Sequence, residues 1–121
     1  MSLSSAPTFH AQIAARVFKL VRDYGRRDAA ACASHFTEDA TLLISGFPTA
    51  RGRAEITGLM QTIMDGGHDL YSMQVTEAKA DEKYGYAIVG LMSTRGAGQV
   101  LLVCRRDGGQ WLIHSEAVVR D

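Results

Sequence analysis

The sequence predicts a single α+β domain: three helices packed on one face of a curved, mostly antiparallel sheet that encloses a pocket. Two observations predict it. Apolar residues recur with helical period through the first half of the chain, and with a period near two from His68 onward. Turn signals at Asp81-Glu82-Lys83, Arg95-Gly96-Ala97-Gly98 and Asp107-Gly108-Gly109-Gln110 then join the later strands as a meander. A helical half followed by an antiparallel half is an α+β arrangement, and 121 residues suit one domain.

The expected elements follow in chain order. Thr8, just after Pro7, suits the N-cap of a first helix running to Tyr24. Ile13, Val17, Leu20, Val21 and Tyr24 form its apolar stripe, and Gly25 is placed to end it. Asp28 caps a short second helix, Ala29 to Phe36. Ala40 to Ile44 is a short strand, broken by Ser45-Gly46-Phe47-Pro48 because proline cannot continue a ladder. A third helix, Ala54 to Met64, buries Ile56, Leu59, Met60 and Ile63 and stops at Gly66-Gly67. Tyr71, Met73 and Val75 alternate with polar residues in a half-buried strand. Tyr84 to Thr94, Gln99 to Arg106 and Trp111 to Arg120 complete the meander. Residues 1–8 read as a polar tail and residues 9–121 as the domain.

Composition excludes several classes of function. Thirteen basic residues face thirteen acidic ones, which leaves no electrostatic footprint for nucleic acid or an anionic membrane. No stretch approaches the ~20 apolar residues that span a bilayer. The first residues lack the basic and apolar regions of a secretory signal. Cys32 and Cys104, far apart, read as buried reduced thiols. A cytoplasmic location is therefore expected. His35 and Asp39 lie four apart, but the helix ends between them and no third ligand can be placed, so no metal is expected and no cofactor is implied.

Four short motifs carry a resemblance. Asp28 opens the second helix. His35-Phe36-Thr37-Glu38-Asp39-Ala40-Thr41-Leu42 leads into the first strand, and Gly52-Arg53-Ala54-Glu55-Ile56 leads into the third helix. Arg106-Asp107-Gly108-Gly109-Gln110-Trp111-Leu112-Ile113 forms the last hairpin. In this order and spacing they resemble the nuclear transport factor 2-like superfamily, in particular its SnoaL-like branch with polyketide cyclases and ketosteroid isomerase-like proteins. The resemblance covers about residues 9–120 and implies a cystatin-like cone with an apolar pocket. It also implies a homodimer through the outer sheet face. The ligand it suggests is a small hydrophobic molecule, polyketide-, steroid- or terpenoid-like, and the chemistry that of an isomerase, cyclase, dehydratase or hydrolase. A non-catalytic binding or dimerisation module of the same fold is the alternative.

Ketosteroid isomerase chemistry needs a carboxylate base and two oxyanion donors. The resemblance places the base at or next to Ile44, one donor at Phe18 or Leu20, and the other near Gln99 to Leu102. None of these supplies the group. Other polar residues remain as candidates. His68 and Asp69 form either a general base with its orienting carboxylate at the pocket mouth or an exposed loop. His114 and Glu116 share a face of the last strand. With Trp111, Ile113, Ser115 and Ala117 toward the helices, the pair points outward to solvent or a dimer interface. A slip of one residue would turn it into the pocket as an acid/base pair. Arg51, Arg53 and Arg95 read as solvated loop residues. Phe18, Tyr24, Phe36, Phe47, Met60, Tyr71, Met73 and Tyr86 are the candidates for lining the pocket, Tyr24 and Tyr86 supplying hydroxyls.

Overall fold

The structure, a computed structural model, describes residues 8–120. Apart from Thr8, the expected polar tail lies outside them. Helix α1 spans Phe9–Gly25, and the Thr8 hydroxyl accepts the Ala11 N–H at 3.1 Å. Its stripe, Ile13, Val17, Leu20 and Tyr24, is buried. Gly25 is the last helical residue rather than the turn beyond it. The left-handed position falls instead on Arg27, at φ 58.

Helix α2 is shorter than its composition suggests, Ala29–Ala33, with the Asp28 carboxylate accepting the Ala31 N–H at 3.0 Å. Phe36 belongs to the following strand, β1, which spans Phe36–Ile44 and starts four residues before the expected point. The parallel partner β6 captures it: Phe36 pairs with Ile113, and the Ile113 N–H donates to the His35 carbonyl at 3.0 Å. A two-residue strand, β2 (Ala50–Arg51), is too short to read from sequence. Helix α3 spans Gly52–Asp65 and buries Ile56, Leu59, Met60, Ile63 and Met64.

Strands β3 (Leu70–Ala80), β4 (Tyr84–Ser93), β5 (Gly96–Asp107) and β6 (Gln110–Arg120) form the meander. β5 begins three residues before expected, so Thr94 and Arg95 alone make the β4–β5 turn. The six strands lie in the order β2-β1-β6-β5-β4-β3, antiparallel except for β1 against β6. The helices cover one face, where Ala87, Val89, Val100, Leu102, Cys104, Trp111 and Ile113 join the helical stripes in one core. Phe9 meets Trp111 edge to face, centroids 4.7 Å apart. Burial of these side chains, at about 25 cal/mol per Å² of apolar area, is the main force holding helices to sheet.

One irregularity in β6 decides which face its later residues present. Val103 of β5 pairs with Ser115, yet the next residue, Cys104, pairs with Ile113. His114 is the extra residue of a β-bulge. On one side of it Trp111 and Ile113 point to the helices; on the other, Glu116 and Val118 do so. Ser115 and Ala117 are displaced to the outer face, opposite Val103 and Leu101.

Candidate functional site

A cavity of about 90 Å³ lies between the helices and the sheet. Leu20 of α1, Met60 and Ile63 of α3, Met73 of β3 and Leu91 of β4 supply apolar wall, and Ile44 and Val118 complete it near the mouth. A cavity of this order holds a ligand of about one ring.

The bulge places Glu116 in this wall. Its side chain is 4 % exposed, and Oε1 has no hydrogen-bond partner among the described residues. Burial alone pushes its carboxyl up to about 7. A neutral acid and a carboxylate are therefore both accessible near neutral pH, the condition acid–base catalysis favours. The outward placement expected for Glu116 is overturned, and so is its pairing with His114. A strict alternation of faces sends both residues the same way, whereas the bulge sends them apart. His114 faces the far side, hydrogen-bonded to Thr37 at 2.8 Å and 3.8 Å from Asp39.

His68 lines the cavity from the turn between α3 and β3. Its Nδ1 is buried without a partner among the described residues. The bare Gly66 makes room for the ring: a Cβ there would come within 3.3 Å of His68 Cδ2. The main chain at this point is held firmly. Tyr24 Oη donates to the His68 carbonyl at 2.7 Å, and Arg27 Nη1 donates to the same oxygen at 3.2 Å. Arg27 also pairs with the Asp69 carboxylate, and its left-handed backbone closes α1, the Arg27 N–H donating to the Tyr24 carbonyl at 2.9 Å and the Asp28 N–H to the Asp23 carbonyl at 3.1 Å. The Asp69 N–H donates to Thr94 Oγ1 at 2.8 Å, and the Thr94 N–H returns to the Asp69 carbonyl at 3.0 Å. The mouth is thus stapled to the β4–β5 turn. Asp69 lies at the cavity, but its carboxylate serves Arg27.

Of the residues expected to line the pocket, Tyr24, Met60 and Met73 do so. Phe18 is 72 % exposed and Tyr71 61 % exposed, both outside the cavity. Phe18 leaves the helical stripe by one residue, and a bulge between Leu70 and Ser72 turns Tyr71 away. Phe36 is buried in the core beyond the cavity. Tyr86, on the outer face opposite Val103, hydrogen-bonds Glu77. Phe47 lies beside the mouth under the Arg95 guanidinium, 5.3 Å from ring centroid to cation.

Arg95 and Arg120 also line the cavity. Arg95 had the appearance of a solvated loop residue, but the tight two-residue turn and its N–H bond to Ser93 Oγ at 3.1 Å direct it inward. The signal for Arg120 is weak but present: it lies four residues after Glu116, on the same face once the bulge is known. Cys32 and Cys104 are buried, and desolvation pushes both thiols up to about 12, which leaves them unreactive.

This architecture is the cystatin-like α+β fold. It matches a domain of unknown function with a cystatin-like fold from Nostoc punctiforme at 18 % identity and TM-score 0.83, covering 98 % of this chain and 80 % of that one. A ketosteroid isomerase-like protein from Erwinia carotovora atroseptica matches at 19 % identity and TM-score 0.77, over 89 % of this chain and 92 % of the other. An NTF2-like protein from Novosphingobium aromaticivorans matches at 19 % identity and TM-score 0.72, over 88 % and 78 %. No protein-family model and no curated protein sequence matches the chain. The chain thus shares its fold with NTF2-like and ketosteroid isomerase-like proteins, and the resemblance read from its four motifs agrees with that fold. None of the described helices is long and apolar enough to cross a membrane.

Proposed function

We propose that the protein binds a small hydrophobic molecule of about one ring, terpenoid-like in size, and exchanges a proton with it through Glu116. The observation that carries this reading is the unpartnered Glu116 oxygen in the cavity wall, beside the apolar side chains of Leu20, Met60, Ile63, Met73 and Leu91. An isolated buried carboxyl lowers stability, and such groups cluster at functional sites. As a neutral acid Glu116 donates to a ligand carbonyl; as a carboxylate it removes an acidic proton beside that carbonyl. His68 is the second titratable group with a free buried atom in the same cavity. Isomerase or dehydratase chemistry suits a group that takes a proton from one position of the ligand and returns it at another.

Cyclohexanone is a suitable probe. Titrated into isotope-labelled protein, it is expected to shift the amide signals of Ile44, Leu91 and Val118. By accepting a hydrogen bond from the protonated carboxyl, it also raises the Glu116 titration midpoint. Exchange of its α-hydrogens with deuterated solvent should be faster with the wild type than with Glu116→Gln. Unchanged amide signals would sink the binding reading. Binding with equal exchange by both proteins would sink the proton-transfer role and favour a non-catalytic module.

The partner proposed for the outer sheet face is a second copy of this chain. Leu43, Ala117, Leu101 and Ile88 pair directly across β1, β6, β5 and β4, giving an uncharged apolar row on that face. Leu101 is 46 % exposed in the isolated chain. A neutral apolar row is complementary to itself across a two-fold axis. Sedimentation at micromolar concentration is expected to give the mass of two chains for the wild type and one for Leu101→Glu. A one-chain mass for the wild type would refute the dimer.

A further inference from the structure

Three cationic side chains stand at the cavity mouth, and they are not equivalent. Arg27 is neutralised by Asp69. Arg95 and Arg120 have no acidic partner among the described residues. Both overhang the same point of the chain: a Cβ built on Gly46 would lie 3.6 Å from Arg95 Nη2 and 4.0 Å from Arg120 Nη2. Gly46 has φ +91, a conformation that favours glycine, and its bare backbone lies beside both guanidinium groups. Two like charges at one spot repel, and an anion between them relieves that repulsion. Guanidinium groups also offer forked donors that match a carboxylate. Deeper in the same cavity stands the unpartnered, almost fully buried carboxyl of Glu116, between apolar walls.

We infer that the ligand is an amphipathic organic acid, its carboxylate held between Arg95 and Arg120 over Gly46, and its one-ring or short-chain apolar body directed inward toward Glu116. This deepens the proposed function and rests on it. The two positive charges at the mouth attract the anionic end, and the apolar wall accepts only the other end, so the acid binds in one orientation. A ligand carbonyl or double bond in the body is then presented to Glu116 rather than to solvent.

Cyclohexanecarboxylate and its neutral amide, cyclohexanecarboxamide, test this at pH 6, where the probe acid is ionised. Calorimetric titration of the full chain is expected to show the carboxylate binding at least about tenfold more tightly than the amide. Arg95→Met and Arg120→Met should each reduce that preference to about twofold or less while amide binding persists, which reports that the cavity is intact. Raised salt should weaken the carboxylate and leave the amide unchanged. Equal affinity for the two probes overturns the inference, as does a preference that survives both substitutions. Cyclohexanone separates the two levels: if it binds while the carboxylate gains nothing, the anion site fails and the apolar pocket stands. If none of the three binds, both fail.

Discussion

Glu116→Gln is expected to stabilise the protein above pH 7, by about 3 kcal/mol relative to its effect at pH 4.5. The sign follows from linkage. Burial raises the folded-state carboxyl from its ordinary 4.5 to about 7. Below 4.5 the group is protonated in both states and costs nothing. Between 4.5 and about 7 the unfolded chain releases the proton and the folded chain keeps it, so wild-type stability falls as pH rises. Above about 7 the loss is complete. The glutamine variant has no such titration. Asp23, Asp39 and Asp107, whose partners hold them below the ordinary carboxylate range, lose their stabilisation only in acid, and equally in both proteins. Urea unfolding of wild type and variant between pH 4.5 and 8 isolates the Glu116 contribution as a difference. A difference that does not change with pH would show that Glu116 is solvated in the folded state.

Asp23→Ala is expected to destabilise the fold by about 2 kcal/mol, the order found when a buried donor loses its acceptor. Asp23 Oδ2 accepts from His35 Nε2 at 2.8 Å, and both residues are buried. The tautomer is set from the other side, because Arg16 Nη1 can only donate, and it donates to His35 Nδ1 at 3.1 Å. The His35 proton therefore sits on Nε2. Desolvation, reinforced by Arg16, lowers the His35 pKa and keeps the ring neutral at pH 7 against the pull of Asp23. Arg16 Nε also donates to the Trp111 carbonyl at 3.2 Å, so the network ties α1 to the start of β6. Alanine at 23 leaves a buried N–H without an acceptor. Asp23→Asn keeps one acceptor oxygen and should recover about half the loss. Because the His35 hydrogen bond lowers the Asp23 pKa, the wild-type advantage should fade as pH falls below 3.8 toward the folded-state value. Chemical unfolding at pH 7 gives the magnitude; a loss under about 1 kcal/mol would mean that the network does not hold the helix.

Much of the fold was legible because local rules and tertiary demands agree. The α1 stripe from Ile13 to Tyr24, the Thr8 and Asp28 caps and the Gly108-Gly109 hairpin each follow from periodicity or backbone preference alone. The candidate site was less legible. His68, Asp69 and Tyr24 were found because they stand where a helix or strand ends. The exposed places of Phe18 and Tyr71 were missed because one step along a helix, or one bulged residue in a strand, changes the face without changing the local pattern.

The amino-acid sequence by itself determined the element types, their order, the apolar core and the absence of a charge pattern for nucleic acid. It also contained the four motifs that resemble the NTF2-like superfamily. The tertiary structure alone decided where β1 begins, since Phe36 is a strand residue only with β6 beside it. It alone decided the chemistry of Glu116. Alternation is a property of a regular strand, but bulging depends on how two strands match over their length. The single extra residue at His114 lets Trp111 and Glu116 share one face, and it brings a carboxyl that alternation would leave in solvent into the wall of an apolar cavity.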